Sequence, residues 1–477
     1  MLQEKLDKRT SAQEPQVSTQ QVLAVEEEKE VAAVEDGVFG GGGGEREGAV
    51  NYNTVGWFGT SVLLMKTQIG LGVLSLPYVL SVFGAIPGVF IILGVAIITT
   101  WSDLEVGRWK LRHPECYSLS DVGFIIAGPW GREIFGFTYL IFELATVGSA
   151  FVGLSVALNA ISLHGTCTAV FIAAMAVAAL LLASIRTLNK ISFLSYIGLA
   201  SILSAILTLA IAVSLQSRPS LAPQTGPWNK GLLLTNRPSF SDAMLALSTV
   251  VFSFAGTPAF LPIASEMKRP RDYMKAAILC QAVVTSTFLI IGIIVYYYCG
   301  EYVASPALGS AGPLLKRICY GLALPGLLVS MTIYTHLSAK WVLVRLLRGT
   351  PHLTANSIRH WVTWEGCILG CVLVAYLFAS AVPSFNSIVG LFGALCGTFL
   401  CMQAMALMWL HDEGEEVRSG KKRNWLGSLW CFFVLAIGTF IMIGGTYGSI
   451  VSIIDTYKAD PGSAWSCADN SGTVPSS

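Results

Sequence analysis

Four ionisable side chains lie in or beside long apolar runs: Lys66, Glu143, His336 and Glu266. A charged group in hydrocarbon is costly and marks an ion or substrate path by default. Lys66 follows Trp57 by nine residues, roughly 13 Å of helix at 1.5 Å per residue, which places it near the middle of a bilayer. The bland alternative is a snorkelling or purely structural lysine. Glu143 sits a similar depth into its own run, two residues before the small-residue stripe Ala145, Ser149, Gly153 and Ala157. It is expected to face away from that stripe, towards a cavity, with Lys66 as its partner. Burial and a nearby ammonium pull a carboxyl's proton affinity in opposite directions, the setting of a proton carrier; a static salt bridge is the alternative. His336 titrates in a useful range, yet among Thr332, Tyr334 and Thr335 a hydrogen-bonded histidine is the plainer reading. Glu266, beside Met267-Lys268-Arg269, suits an interfacial gate or ion pair.

Two apolar runs are also broken by glycine and proline. The first reads Lys66-Thr67-Gln68-Ile69-Gly70-Leu71-Gly72 with Pro77 beyond, the second Phe252-Ser253-Phe254-Ala255-Gly256-Thr257-Pro258 with Pro262 beyond. An unpaired backbone amide or carbonyl costs several kcal/mol in lipid, so a break survives where it lines a protein cavity. Such breaks at matching places in two halves of a chain point to a transporter's binding site. An amino acid fits the chemistry. Amides at Gly70, Leu71 and Gly72 would open a half-helix whose positive end favours a carboxylate. Carbonyls at Thr67, Gln68, Ser253 and Phe254 would accept from an ammonium, and glycine at 256 lets backbone approach the ligand. Phe252 and Phe254 would wall an apolar pocket, which disfavours charged substrates. A proline-kinked helix with no ligand is the bland alternative.

The chain has 477 residues, 53% hydrophobic and 12% charged, with mean hydropathy +0.63. A soluble protein would carry about 25% charge. Net charge is +1, which recommends no nucleic acid. Apolar runs long enough to span fall near 57–80, 86–107, 133–158, 167–185, 191–214, 241–265, 275–299, 319–343, 361–381, 385–410 and 425–454, eleven in all. Nineteen Lys and Arg near the span ends fall on one side; Arg218, Lys230, Arg237, Lys316, Arg317 and Lys458 fall on the other. The positive-inside rule then puts the N-terminus in the cytoplasm and the C-terminus outside. Spans one and six run in opposite directions, as two inverted five-span repeats over 57–214 and 241–410 require, with 425–454 as an extra helix. Residues 1–54 carry Glu26-Glu27-Glu28 and Gly40 to Gly44 and read as a disordered cytoplasmic tail. Residues 456–477 form an outer tail. The eleven cysteines show no metal spacing, and a disulfide between Cys299 and Cys319 is the one pairing that an outer loop suggests. No cofactor and no metal are expected.

The residues KTQIGLGVLSLPY (66–78), WKLRHPECYSLSDVG (109–123), FSFAGTPAFLPIASEMKRPRDY (252–273) and IYTHLSAKWVLVRLLRG (333–349) resemble the amino acid/auxin permease family of the APC superfamily. The likeness is strongest to fungal neutral amino-acid permeases of the methyltryptophan-resistance type and covers about residues 54–455. It implies an all-α, leucine-transporter-like inverted-repeat fold and coupled uptake of amino acids. In sodium-coupled relatives the position of Lys66 is often asparagine, a neutral oxygen ligand; a lysine ammonium would instead fill a cation's place, which argues for proton coupling or a fixed internal cation rather than sodium. Many members carry Gly-His where this chain has Gly256-Thr257, which removes a histidine-based pH response there.

The expectation is therefore a proton-coupled symporter of neutral aliphatic or aromatic amino acids, in the plasma membrane or alternatively the vacuolar membrane. Sodium coupling and an amino-acid sensor using the same site are the other readings. An enzyme is disfavoured by the lack of HExxH, paired aspartates or a nucleotide loop, and a channel by the lack of charge rings. Membrane lipids are the remaining expected partner.

Overall fold

The computed structural model describes residues 55–70, 72–184, 188–353, 357–381, 385–459, 465 and 467–472. The expected tail over 1–54 lies outside the described residues, as does Leu71. In an apolar medium a helix satisfies its own backbone, and the described residues are helical, with one isolated bridge between Val55 and Met267. In order, the helices are α1 (Trp57–Gln68), α2 (Leu76–Phe83), α3 (Ala85–Arg112), α4 (Leu119–Ser162), α5 (Thr168–Ala183), α6 (Leu188–Leu215) and α7 (Phe240–Phe254). There follow α8 (Thr257–Ser265), α9 (Tyr273–Cys299), α10 (Pro313–Leu347), α11 (Ile358–Ala381), α12 (Phe385–Phe392), α13 (Ala404–Arg418) and α14 (Trp425–Ala459). Two π-helical turns, Gly393–Gly397 and Phe399–Gln403, carry α12 towards α13.

Among the described residues nine segments are long and apolar enough to cross a membrane, or ten if α1 and α2, bent by 48°, count as one. The protein is an integral membrane protein. The expected fourth span is α5, 16 residues long, about 24 Å. The expected third span starts earlier than the apolar run suggested. α4 begins at Leu119 and kinks at Ala127 and Gly128 (φ +63°) ahead of Pro129, because proline cannot donate to the preceding turn and glycine accepts the left-handed backbone.

α10 is the central strut, packed along α4, α6 and α11, while α14 lies against α7 and α12. One end of the bundle is strapped by the C-terminal segment. Cys467 is bonded to Cys167. Asn470 donates to Ser155 Oγ at 2.9 Å, Thr168 donates to the Ala468 carbonyl at 2.6 Å, and Lys316 donates to the Ser471 carbonyl at 2.5 Å. The rings of Trp465 and Tyr376 meet at 5.4 Å. This segment thus touches α4, α5, α10 and α11. The pairing expected between Cys299 and Cys319 is wrong: both are free and buried. Each is packed into its helix, so the outer loop between them does not bring the thiols together.

At the opposite end α3 and α13 are tied by Asp412, which accepts from Arg112 at 2.7 Å and meets His113 Nε2 at 3.1 Å. The carboxylate raises the pKa of His113 above its ordinary 6.5, against an opposing effect of partial burial. A raised folded-state value stabilises fully below the unfolded pKa and is lost as pH rises through the folded one. The melting temperature in detergent is expected to fall as pH rises above about 6.5, and this slope is expected to vanish in His113→Gln. A separate melt of Cys467→Ser is expected to fall by a few degrees through loss of the cross-link, with Cys299→Ser unchanged.

Candidate functional site

α1 stops at Gln68 and regular α-helix resumes only at Leu76, so several backbone groups between them lack intrahelical partners. Side chains from α10 and α7 supply them. Tyr334 donates its hydroxyl to the Thr67 carbonyl at 2.5 Å, and Ser253 donates to the Gly72 carbonyl at 3.1 Å. Lys66, fully buried, donates to the Ile69 carbonyl at 3.0 Å and to Ser330 Oγ at 2.5 Å. Its stem passes Gly198 of α6, where an added Cβ would come within 3.0 Å of Lys66 Cε. The ammonium is therefore held between α1, α6 and α10.

The second interruption, between Phe254 and Thr257, lies against the first. A Cβ on Gly256 would sit 2.7 Å from both Gln68 Cγ and Thr67 Oγ1, and one on Gly72 would sit 2.7 Å from Ser253 Cα. Between them is a small cavity of about 10 Å³ lined by Gln68, Phe142, Thr146, Phe252, Ser330 and Tyr334, with Thr67, Gly72, Ser253 and Ala255 completing it. That holds about one water, so loading an amino acid requires the walls to separate. No charged side chain lines it. Both polar atoms of the Gln68 amide are buried without a hydrogen-bond partner, an uncommon state that leaves them available to a ligand.

The structure places Thr67, Gln68, Gly72, Phe252, Ser253 and Gly256 close together. It moves others. Phe254 is not a wall: it is fully buried and packs edge-on against Phe288 of α9 at 4.9 Å, because successive residues of a helix point about 100° apart. Gly70 is not a free donor, since its amide bonds to the Gln68 carbonyl at 3.0 Å. The Phe254 carbonyl likewise accepts from Gly256, at 2.8 Å. The expected pairing of Glu143 with Lys66 fails, the ammonium being engaged by Ile69 and Ser330. Glu143 is fully buried one residue from Phe142, and neither of its carboxyl oxygens has a hydrogen-bond partner. His336 faces α11 and stacks edge-on with Trp364 at 5.2 Å. Glu266 forms a buried ion pair with Lys340, and its backbone accepts from Val55 at 3.2 Å.

Two groups escaped the sequence reading. Ser330 and Tyr334 lie one turn apart on α10 and both face the cavity, a spacing visible in the sequence but not distinguishable from ordinary packing. Asp103 of α3 is fully buried and accepts from Thr257, at 2.6 Å, and from Gln281; the Tyr273 hydroxyl donates to its carbonyl. Asp103 lies nine residues inside Arg112, about 13 Å, so the polar run Ser102-Asp103-Leu104-Glu105 was the available signal.

Residues 53–451 match the family described as transmembrane amino acid transporter protein. A protein named transmembrane transporter from Fusarium pseudograminearum is 34% identical over 431 residues, 90% of each chain. The N amino acid transport system protein of Neurospora crassa is 30% identical over 86% of this chain and 88% of its own. The amino acid transporter AVT1H of Arabidopsis thaliana is 29% identical over 72% of this chain and 78% of its own. Among solved structures, a Na+-coupled sialic acid symporter superposes with a TM-score of 0.54 over 89% of this chain and 95% of its own at 11% identity. A nucleobase-cation-symport-1 family transporter in a closed conformation gives 0.51 over 90% and 98%, also at 11% identity. These two share the fold.

The close approach of backbone at Gly72 is directly testable. Gly72→Ala is expected to destabilise the protein by about 1–3 kcal/mol, because Ser253 backbone must shift. Gly94→Ala, with open space around it, is expected to leave the melting temperature of purified protein unchanged or slightly raised.

Proposed function

The chain belongs to the transmembrane amino acid transporter family, and on that premise we propose that it is a proton-driven symporter of neutral aliphatic or aromatic amino acids. The observation that carries this reading is the cavity between the two interrupted helices. Its lining holds aromatic walls, hydroxyls and the unpartnered Gln68 amide, with no charged side chain, which suits an apolar side chain and disfavours a charged one. α1 with α2 and α7 with α8 are then broken spans one and six of eleven, in two inverted repeats over 57–214 and 241–410 followed by the extra helix. The closed cavity corresponds to a contracted state, and alternating access opens it to one face at a time.

Lys66 supports proton rather than sodium coupling. Its ammonium takes up one carbonyl and one hydroxyl oxygen, ligands that a sodium ion would need, and so supplies a fixed positive charge at that point. Glu143 is the proton carrier in this reading. A buried carboxyl without hydrogen bonds or a cation is costly to charge, and the carrier role requires the surrounding helices to open before a proton can leave it. Asp103, which accepts from Thr257 at the start of α8, positions that helix end.

The N-terminus is cytoplasmic and the C-terminus outside in this reading. The Cys167–Cys467 bond supports it, since disulfides persist in oxidising compartments. The plasma membrane is the proposed location, with the vacuolar membrane as the alternative.

Uptake of labelled phenylalanine into proteoliposomes tests the proposal. For one proton per substrate, a pH difference of about one unit is expected to support about tenfold accumulation, with no requirement for sodium. Glu143→Gln is expected to lose pH-driven accumulation while retaining exchange. A sodium requirement would overturn the coupling assigned to Lys66.

A further inference from the structure

Where the start of α4 passes the end of α10 there is a cavity of about 400 Å³ that the transport site does not use. Arg132, Arg345 and Arg348 line it, together with the hydroxyls of Ser118 and Ser120; Asp121 is the single carboxylate. Arg348 is bound to Asp121 and Arg345 to Glu133. Arg132 has no carboxylate partner among the described residues. Its guanidinium lies 4.0 Å over the ring of Phe124, and its Nε is buried without a hydrogen bond. Against the three guanidinium groups stand two carboxylates, Asp121 and Glu133, which leaves the charge of Arg132 unmatched among the described residues; that makes this a site for one anion, and arginine's planar fork suits phosphate oxygens.

The depth of the cavity is marked by aromatic side chains. Phe124 and Trp130 flank the α4 kink and are 43% and 80% exposed, as rings at the membrane–water boundary are. An anion bound there sits at the level of lipid headgroups. Next to the cavity an apolar groove of about 530 Å³ runs between α4, α10 and α11, lined by Leu140, Leu144, Val342, Leu346, Gly366 and Gly370 among others. A Cβ added at either glycine would meet nothing within 4 Å, so the groove is open to the membrane. On α10 the groove residues Val342 and Leu346 directly follow the cavity residues Trp341 and Arg345, so the two share an edge. On α4, Leu140 lies eight residues beyond Arg132, about 12 Å further into the apolar layer.

We propose that this face of α4, α10 and α11 binds one anionic glycerophospholipid, its phosphate headgroup among the three arginines and an acyl chain along the Gly366–Gly370 groove. A basic pocket alone would take any phosphate; the adjoining groove selects the lipid. Bound there, the lipid would bridge the helices that the C-terminal segment straps at the other end. The inference uses the membrane-spanning character of the chain and is independent of the substrate and of the coupling ion.

The test is binding by the purified full chain, using mixed micelles of phosphatidylserine or phosphatidylcholine, with glycerophosphoserine and inorganic phosphate as soluble arms. Native mass spectrometry is expected to show one retained phosphatidylserine in preference to phosphatidylcholine. Arg132→Gln, which breaks no ion pair, is expected to lower that preference about fivefold. Gly370→Leu, which fills open space, is expected to reduce retention of both lipids while leaving binding of glycerophosphoserine intact. Size-exclusion profiles check that both variants fold. Equal retention of the two lipids, a preference that survives Arg132→Gln, or retention that Gly370→Leu leaves unchanged would overturn the proposal. Inorganic phosphate that competes as well as the lipid would also overturn it and assign the cavity to a free anion.

Discussion

The structure depends on one constraint: a helix that stops within an apolar layer must have its freed backbone groups met by other parts of the protein. Leaving each unmet costs several kcal/mol. Here the carbonyls of Thr67, Ile69 and Gly72 are met by Tyr334, Lys66 and Ser253. Two of these donors come from elements far away in sequence. The end of α1 is therefore positioned by α10 and by α7, and the extensive packing of α10 against α4 and α6 is what makes that positioning stiff. A polar cavity at the chain's centre is the by-product of solving a backbone problem with side chains.

The buried charges follow two patterns, set by what lies within reach. Glu266 and Lys340 pair directly and are both nearly inaccessible. Breaking such a pair leaves an uncompensated buried charge, so it holds the end of α8 to α10. Asp103 has hydroxyl and amide donors instead of a cation, and Glu143 has neither. Lys66, the one ammonium near the cavity, is engaged by a carbonyl and a hydroxyl. Among these groups charge is thus neutralised by an ion pair where α8 meets α10, and kept apart nearer the cavity.

The two ends of the bundle are held differently. One has a covalent bond and a short chain segment laid across α4, α5, α10 and α11. The other relies on charged side chains at helix ends, including Arg112 and His113 on Asp412 and Arg348 on Asp121. Ionic contacts whose arginine is half exposed to water contribute less than fully buried pairs and exchange more readily. A disulfide does not. The strapped helices form a frame, while α1, α3, α7, α8 and α9 carry no such covalent restraint.

Much of this was legible in the amino-acid sequence. Apolar runs of helical length, the glycine and proline clusters at 70–77 and 256–262, the family likeness and the depth of Lys66 are local or compositional properties, because hydrophobic length and backbone-breaking residues act where they stand in the chain. The partners were not legible. Nothing in the order of residues says that Lys66 meets Ser330, that Phe254 turns to Phe288, or that Cys167 bonds Cys467 some 300 residues away. Each is decided by which helix faces pack together, and on uniformly apolar spans the hydrophobic pattern does not distinguish one face from another. The sequence alone determined that the chain carries membrane-spanning helices and where glycine and proline cluster along it; only tertiary packing decided which side chains meet the backbone groups between α1 and α2, because a hydrogen bond across hundreds of residues leaves no periodic trace.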